Sequence, residues 1–409
     1  MGRPANPAHE RPRRPLRSAG PGRFRMITRS ELARLVSQIP GARPASAPGV
    51  IALCDPNWGE TERAQAASVL GIVREAAAPA AGWLLIPTGG TGGRIRFARH
   101  DERTIAAAVR GFTAHFDLPR VNAVGLLPRH HVSGLMGWLR CVLTGGEHRP
   151  ADWRELAAGA LPDLPDRAES WVLSLVPTQL ERMLRQPAAV GWLRGLRTVF
   201  LGGAPAWPDL LDRAAEAGIP LSLSYGMTET AAMVAALRPG EFARGARDCG
   251  TALPHASLTI APDGAIRVAG ESVFHGYWPD FRSDRSHATA DLGRIDPQGH
   301  LHVLGRRDEI IVTGGEKVDP PEVEAALRAT GEFADIVVLG LPHPQWGAQV
   351  VAVYPAGTSP DLARVRTALG RALAPYKHPK EYVALTNWPR TEAGKLNRAD
   401  LATRARAGL

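Results

Sequence analysis

The chain has 409 residues, 44% hydrophobic and 22% charged, which is the profile of an ordinary globular protein with room for two or three domains. No stretch approaches the roughly eighteen uninterrupted apolar residues of a membrane span, and Cys54, Cys141 and Cys249 are isolated, without CxxC spacing. They point away from a disulfide framework or a zinc site and toward a reducing, cytoplasmic setting. The net charge of +9 suggests nucleic acid only until it is located: residues 1–25 carry seven arginines and one glutamate, which is +6, leaving +3 on the other 384 residues. This Pro/Gly/Arg-rich tail is expected to be disordered, whether it serves as a transit segment or precedes a start at Met26. No nucleic-acid role follows from it.

From Met26 the texture is globular. "TRSELARLVSQI" (28–39) predicts a helix capped by Thr28 or Ser30, and residues 59–77 predict a second amphipathic helix. Trp83–Ile86 reads as a buried strand ended by Pro87, followed by a loop with four glycines. Strands are then predicted at 121–128, 170–177, 197–203 and 220–226, with helices at 102–116, 133–144, 178–186 and 207–217. This alternation defines an α/β fold: a mostly parallel sheet with flanking helices and ligands at the strands' C-terminal ends. Around residue 255 the pattern becomes β-rich, with a hairpin at Asp263-Gly264. A helix over "PPEVEAALRAT", strands in "ADIVVLGL" and "QVVAVYP", and a helix at 361–374 predict a small α+β domain at the end. The expected division is a tail at 1–25, a large lobe at 26–304, a hinge at 305–308 and a mobile lid at 309–409.

The loop "PTGGTGGRIR" (87–96) combines Thr88 and Thr91 hydroxyls, glycines that free backbone N–H groups, and Arg94 and Arg96. That combination suits a polyphosphate. The Walker pattern and GxGxxG are both absent. Four further motifs follow in order: "YGMTE" (225–229), "ATADLG" (288–293), "GRRDEIIVTGGEKVDPPEVE" (305–324) and "PRTEAGKLNR" (389–398). Together with the loop they resemble the acyl-adenylate-forming superfamily of acyl-CoA ligases, luciferases and peptide-synthetase adenylation domains. The resemblance runs from about residue 83 to 400.

That resemblance implies the following roles. Thr88, Gly89, Gly90, Thr91, Gly92, Gly93 and Arg96 correspond to the loop around the ATP phosphates; Gly89 stands for a serine, Gly92 for a threonine and Arg96 for a lysine. Gly202, Gly203 and Ala204 would wall the adenine, with Tyr225 and Gly226 beside it. Thr228 would contact phosphate and Glu229 would hold Mg²⁺, a hard cation matched to a carboxylate. Asp291 would accept the ribose hydroxyls with help from Arg306, although the two could instead form a structural ion pair. Ala290 departs from the usual glycine. Asp308 would be the pivot, Gly314 and Gly315 would face the coenzyme A channel, and Lys395 would be the catalytic lysine of adenylation. Attack of a carboxylate on the α-phosphate builds negative charge that a cation must offset.

"LPRHHVSGLMGWLRCVLTGG" (127–146) bears on the acid. His131 matches the family's gate histidine. Arg140 lies in an apolar helix, where it would either pair with a protein carboxylate, reach solvent, or face a second carboxylate on the substrate. "HVSG…R", "LVPTQL" (175–180) and "LGGAP" resemble the 2-succinylbenzoate–CoA ligase family of menaquinone and phylloquinone biosynthesis, and the glycine loop resembles its compact cyanobacterial forms. The expected ligands are ATP, Mg²⁺, coenzyme A and a small carboxylic acid, and dimers are common among such relatives. Another aryl- or acyl-CoA ligase, a stand-alone adenylation enzyme and a non-catalytic nucleotide-binding homologue are the alternatives.

Overall fold

A computed structural model describes residues 24–72, 81–89, 95–164, 170–388 and 398–408. The basic tail, the end of the second predicted helix, Gly90, Thr91, Gly92 and Gly93 of the loop, and Lys395 lie outside the described residues.

Helix α1 (Arg29–Val36) starts at Thr28, whose hydroxyl accepts the Glu31 N–H while Glu31 accepts the Thr28 N–H, a reciprocal capping box. It lies against a four-stranded sheet in the order β1 (Ala42–Pro44), β2 (Ile51–Leu53), β3 (Leu84–Gly89), β4 (Ile95–His100), with α2 (Glu60–Leu70) between β2 and β3. Here the structure corrects the sequence reading. Pro87 does not end its strand: β3 runs on to Gly89 and pairs antiparallel with β4, an unforeseen strand, with Pro87 opposite Phe97 and Thr88 opposite Arg96. β2 pairs only with Leu84 and Leu85, so beyond them one side of β3 is an edge, where a residue lacking an N–H is tolerated. The glycine loop therefore joins two antiparallel strands.

Helix α3 (Glu102–Phe116) is capped by the Asp101 carboxylate, which accepts the Arg103 and Thr104 N–H groups. Next come β5 (Asn122–Gly125), α4 (Val132–Thr144), β6 (His148–Pro150), α5 (Trp153–Ala157), β7 (Trp171–Leu175), α6 (Pro177–Leu184), α7 (Pro187–Arg194), β8 (Thr198–Leu201), α8 (Pro208–Glu216), β9 (Leu221–Met227), β10 (Ala232–Ala236), α9 (Pro239–Ala243) and β11 (Thr251–Ala252). Their seven strands form one sheet in the order β11-β10-β9-β8-β7-β5-β6. From β6 to β9 all pairs are parallel, as expected from the alternation, whereas β10 and β11 add antiparallel strands at one edge. Leu173, Leu180, Leu210 and Leu221 pack between this sheet and its helices, while Leu135 and Leu139 of α4 join Trp83 and Ile105 in a second cluster. Truncating such a leucine to alanine costs about 2–5 kcal/mol.

Strands β12 (Ala256–Ile260), β13 (Ala265–Gly270), β14 (Ser286–Ile295) and β15 (Leu301–Arg306) form an antiparallel sheet, with Asp263-Gly264 in its first turn. The last sheet holds β16 (Ile311–Thr313), β17 (Glu316–Val318), β18 (Val337–His343), β19 (Gly347–Pro355) and β20 (Glu381–Leu385), with α10 (Pro320–Ala329), α11 (Leu362–Ala372) and α12 (Arg398–Ala407) packed on it. Its two apolar clusters draw only on residues 311–405, so this smaller domain carries its own core beside the larger one. The two touch where Arg328 of α10 lies 5.2 Å from the Trp207 ring centre. Among the described residues, no helix is long and apolar enough to cross a membrane.

Candidate active site

The C-terminal ends of β8 and β9, the β3–β4 hairpin and the β14–β15 pair bring most of the predicted site residues together. Gly202 follows β8, and a Cβ there would come within 2.9 Å of Ser224 Oγ; Gly203 has φ +82°, and Ala204 is exposed. At Gly226, which is exposed, a Cβ would meet the Ala232 carbonyl at 2.1 Å, so only glycine lets β9 run this close to β10. Thr88 is buried, and its hydroxyl has no hydrogen-bond partner among the described residues. An orphaned buried hydroxyl at the edge of a glycine loop fits a ligand oxygen.

Asp291 on β14 faces Arg306 across the β14–β15 ladder. Its Oδ1 accepts Arg306 Nη1 at 2.8 Å and its Oδ2 accepts the Tyr225 hydroxyl at 2.6 Å. The ion pair weighed from the sequence is therefore present, and it fixes both carboxylate oxygens toward the end of β9. Each oxygen keeps a lone pair for another donor. Burial first, and the Asp291 charge second, push the Tyr225 phenol far up, so it stays a donor. Arg306 also grips Asp308 through Nε and Nη2 at 2.9 and 2.8 Å, tying the expected pivot to Asp291 through one guanidinium.

Thr228 and Glu229 sit in a short 3-10 turn between β9 and β10. His100 Nε2 donates to the Thr228 carbonyl at 2.7 Å, and the Phe274 N–H donates to the Glu229 carbonyl at 2.8 Å. Burial lowers the His100 pKa to about 4, so this ring is neutral and its contact is a plain hydrogen bond. The turn exits through Ala231 and Ala232 at φ +52° and +79°, a costly conformation for residues with a Cβ. The buried Glu229 carboxylate accepts the Tyr277 hydroxyl on Oε1 at 2.5 Å, and no other described side chain donates to it. A fixed carboxylate beside the loop that carries Thr88 and Arg96 is the donor a Mg²⁺ ion shared with phosphate oxygens requires, so these residues fit that cation.

Of the two acid-side candidates, Arg140 lines a narrow cleft of about 20 Å³ with Ser133, Gly134, His148 and Phe200, and His131 is not among its lining residues. His131 is the N-cap residue immediately before α4. Arg140, on α4, is buried, stacks 3.9 Å from the Phe112 ring centre and leaves Nε without a hydrogen-bond partner. Among the described residues no carboxylate pairs with it, so neither pairing within the protein nor an escape to solvent describes it. Burial lowers its pKa to about 10, still leaving it cationic at neutral pH. Nearby His255 and His148 are held neutral, near pKa 4, by burial first and then by Arg140 and Arg129 respectively. Among the described residues lining the cleft there is thus a cation and no carboxylate.

Sequence reasoning missed several members of this site. Tyr277, His100 and Asp55 sit in unremarkable contexts and acquire meaning only through long-range contacts. Asp55, just past β2, brings its Oδ2 within 3.3 Å of His130 Nε2 and 3.9 Å of His131 Nε2; the ligand atoms of the three lie within 4.8 Å of one another, a metal-capable cluster. On the smaller domain, Gly314 and Gly315, at φ +57° and +86°, make the two-residue turn of the β16–β17 hairpin.

A parallel sheet with a glycine hairpin, a fixed carboxylate turn and a second small domain defines a nucleotide-binding α/β protein of two lobes. Residues 26–278 match the AMP-binding enzyme family and residues 322–395 its C-terminal domain. The chain belongs to the AMP-binding enzyme family. It is 32% identical over 345 residues to an indoleacetate–CoA ligase of Aromatoleum aromaticum, covering 78% of this chain and 66% of that protein. It is also 32% identical over 289 residues to a 2-succinylbenzoate–CoA ligase of Listeria monocytogenes, covering 68% and 60%. The chain thus spans 60–66% of the length of these two curated relatives. Among solved structures, the o-succinylbenzoate CoA synthetase of Bacillus subtilis with its acyl-adenylate superposes with a TM-score of 0.68 at 26% identity, covering 78% of this chain and 69% of that one.

Proposed function

We propose that this chain is a cytoplasmic, ATP-dependent acid–CoA ligase that acts through an acyl-adenylate, with 2-succinylbenzoate as its acid in menaquinone or phylloquinone biosynthesis. The acid's chain carboxylate attacks the α-phosphorus of ATP, the bond to the bridging oxygen breaks and diphosphate leaves; the coenzyme A sulfur then attacks the acyl carbon and AMP leaves. Asp291 with Arg306 and Tyr225 holds the ribose, and Gly202, Gly203, Ala204 and Gly226 wall the base. Thr88, Thr228 and Arg96 meet the phosphates, with Glu229 holding Mg²⁺, which when bound offsets phosphate charge. Lys395, delivered by the smaller domain, offsets the charge that grows on the α-phosphate, and rotation at Asp308 then brings Gly314 and Gly315 to the thiol.

The observation that supports the choice of acid is Arg140: a buried cation in a narrow cleft, with no carboxylate paired to it among the described residues, suits an acid with a second carboxylate. The test is thioester formation with 2-succinylbenzoate against benzoate, salicylate and medium-chain fatty acids. The expected result is a strong preference for 2-succinylbenzoate; equal turnover of the monoacids would refute it. A second reading rests on the Aromatoleum relative, whose name specifies a monocarboxylic aryl acid; turnover of indoleacetate above 2-succinylbenzoate would favour it.

A further inference from the structure

Tyr277 has no assigned part in the reading above, yet its side chain touches two of that reading's principal groups. It lies in the segment after β13 that bridges to β4: Ala98 and Tyr277 form an antiparallel bridge, and the Trp278 N–H donates to the Phe97 carbonyl at 2.9 Å. This places the ring next to Arg96, two residues before Ala98 on the same strand, and the Arg96 guanidinium carbon lies 4.2 Å from the ring centre. The phenol oxygen, at the far end of the same ring, is 2.5 Å from Glu229 Oε1. Burial first, and the Glu229 charge second, push the phenol's pKa well up, so the hydroxyl is the donor. His287 packs against Phe274, whose N–H holds the Glu229 carbonyl, which closes the cluster from β14.

We propose that Tyr277 is a positioning residue that couples the two charges of the polyphosphate site, holding Glu229 by its hydroxyl and Arg96 by its ring face. The proposal rests on reading Glu229 as the magnesium carboxylate. One oxygen of Glu229 is committed to the phenol, so the other is turned to a cation in a single orientation instead of sampling several. The ring face attracts the guanidinium electrostatically and keeps Arg96 from folding onto Glu229, where the pair would neutralise each other before a nucleotide arrived.

The test measures Mn²⁺ binding to the protein–ATP complex from the loss of the free-ion electron paramagnetic resonance signal, in wild type, Tyr277→Phe, Glu229→Gln and the double variant. Tyr277→Phe keeps the ring and removes the hydroxyl; it should weaken Mn²⁺ about tenfold while leaving metal-free ATP affinity unchanged. In the Glu229→Gln background the same change should add less than about twofold, because its effect passes through that carboxylate. Tyr277→Leu, which also removes the ring, should further weaken metal-free ATP by about two- to fivefold. Wild-type Mn²⁺ affinity in Tyr277→Phe alongside a loss in Glu229→Gln overturns the role of Tyr277 and leaves the Glu229 reading standing. Wild-type affinity in both overturns the Glu229 reading and the proposal with it. An equal effect of Tyr277→Phe in both backgrounds also overturns the proposal. If Tyr277→Phe does not fold, a fluorotyrosine at 277 preserves shape and changes only phenol acidity; an unshifted Mn²⁺ affinity there overturns the proposal in the same way.

Discussion

The proposed ribose side and the proposed acid side of the site are built on opposite principles. Asp291 already holds Arg306 and Tyr225, so its carboxylate is oriented and satisfied before any ligand enters. Arg140 is buried, and among the described residues no carboxylate pairs with it. The first region gains stability from its functional group, whereas the second bears a cost that only a bound anion would relieve. A side chain that lowers the stability of the empty protein points to a ligand more directly than one that raises it, because packing alone does not account for it.

The largest expected effect lies outside both regions. Lys395→Ala should lower the rate of adenylate formation by about two to three orders of magnitude while ATP still binds; ATP–diphosphate exchange and nucleotide binding measured side by side check this. Arg140→Met sharpens the comparison itself. It should raise the KM for 2-succinylbenzoate by about thirtyfold or more, and it should also raise the melting temperature of the unliganded protein, since it removes an uncompensated buried charge. Asp291→Asn should do the reverse to stability, lowering it by about 1–3 kcal/mol as the charged partner of Arg306 and Tyr225 is lost, and should weaken nucleotide binding about tenfold; chemical denaturation and titration calorimetry read the two effects. A fall in stability for both variants would erase the distinction.

The smallest effect concerns the base of the smaller domain. Asp319 precedes α10, and a Cβ on Gly305 would meet its Oδ1 at 2.9 Å. Burial first, then the neighbouring Glu322, Glu324 and Glu309, raise its pKa to about 6. A carboxyl harder to ionise in the folded state destabilises once ionised: the penalty is absent below the ordinary carboxylate pKa of about 4, grows as pH climbs to 6, and is full above it. Asp319→Asn should therefore raise the melting temperature at pH 8 and leave it nearly unchanged at pH 4.

Much of this was legible in the sequence where local chemistry decides the outcome. The Thr28 capping box, the limits of α3 and α4, and the Asp263-Gly264 hairpin follow from side chains within a few residues of one another. The β3–β4 hairpin was not legible. "IRFARH" looks like a basic extension of the loop because Arg99 and His100 read as surface residues, yet both are buried. What permits this lies far along the chain: Arg99 donates to the Gly82 and Pro279 carbonyls, and His100 to that of Thr228. The site shows the same division. Motif residues such as Glu229 and Asp291 could be named in advance, but Tyr277 could not, because its meaning is a contact across 48 positions.

Acid-dependent ATP–diphosphate exchange, measured for 2-succinylbenzoate and for 4-oxo-4-phenylbutanoate, isolates the unpaired cation of the acid cleft. The second compound keeps the carboxylate to be activated and lacks the one on the ring. Wild type should favour 2-succinylbenzoate by about thirtyfold or more in kcat/KM, and Arg140→Met should bring the two acids close to parity. Equal exchange with both acids in wild type, or an unchanged preference in Arg140→Met, would contradict the account.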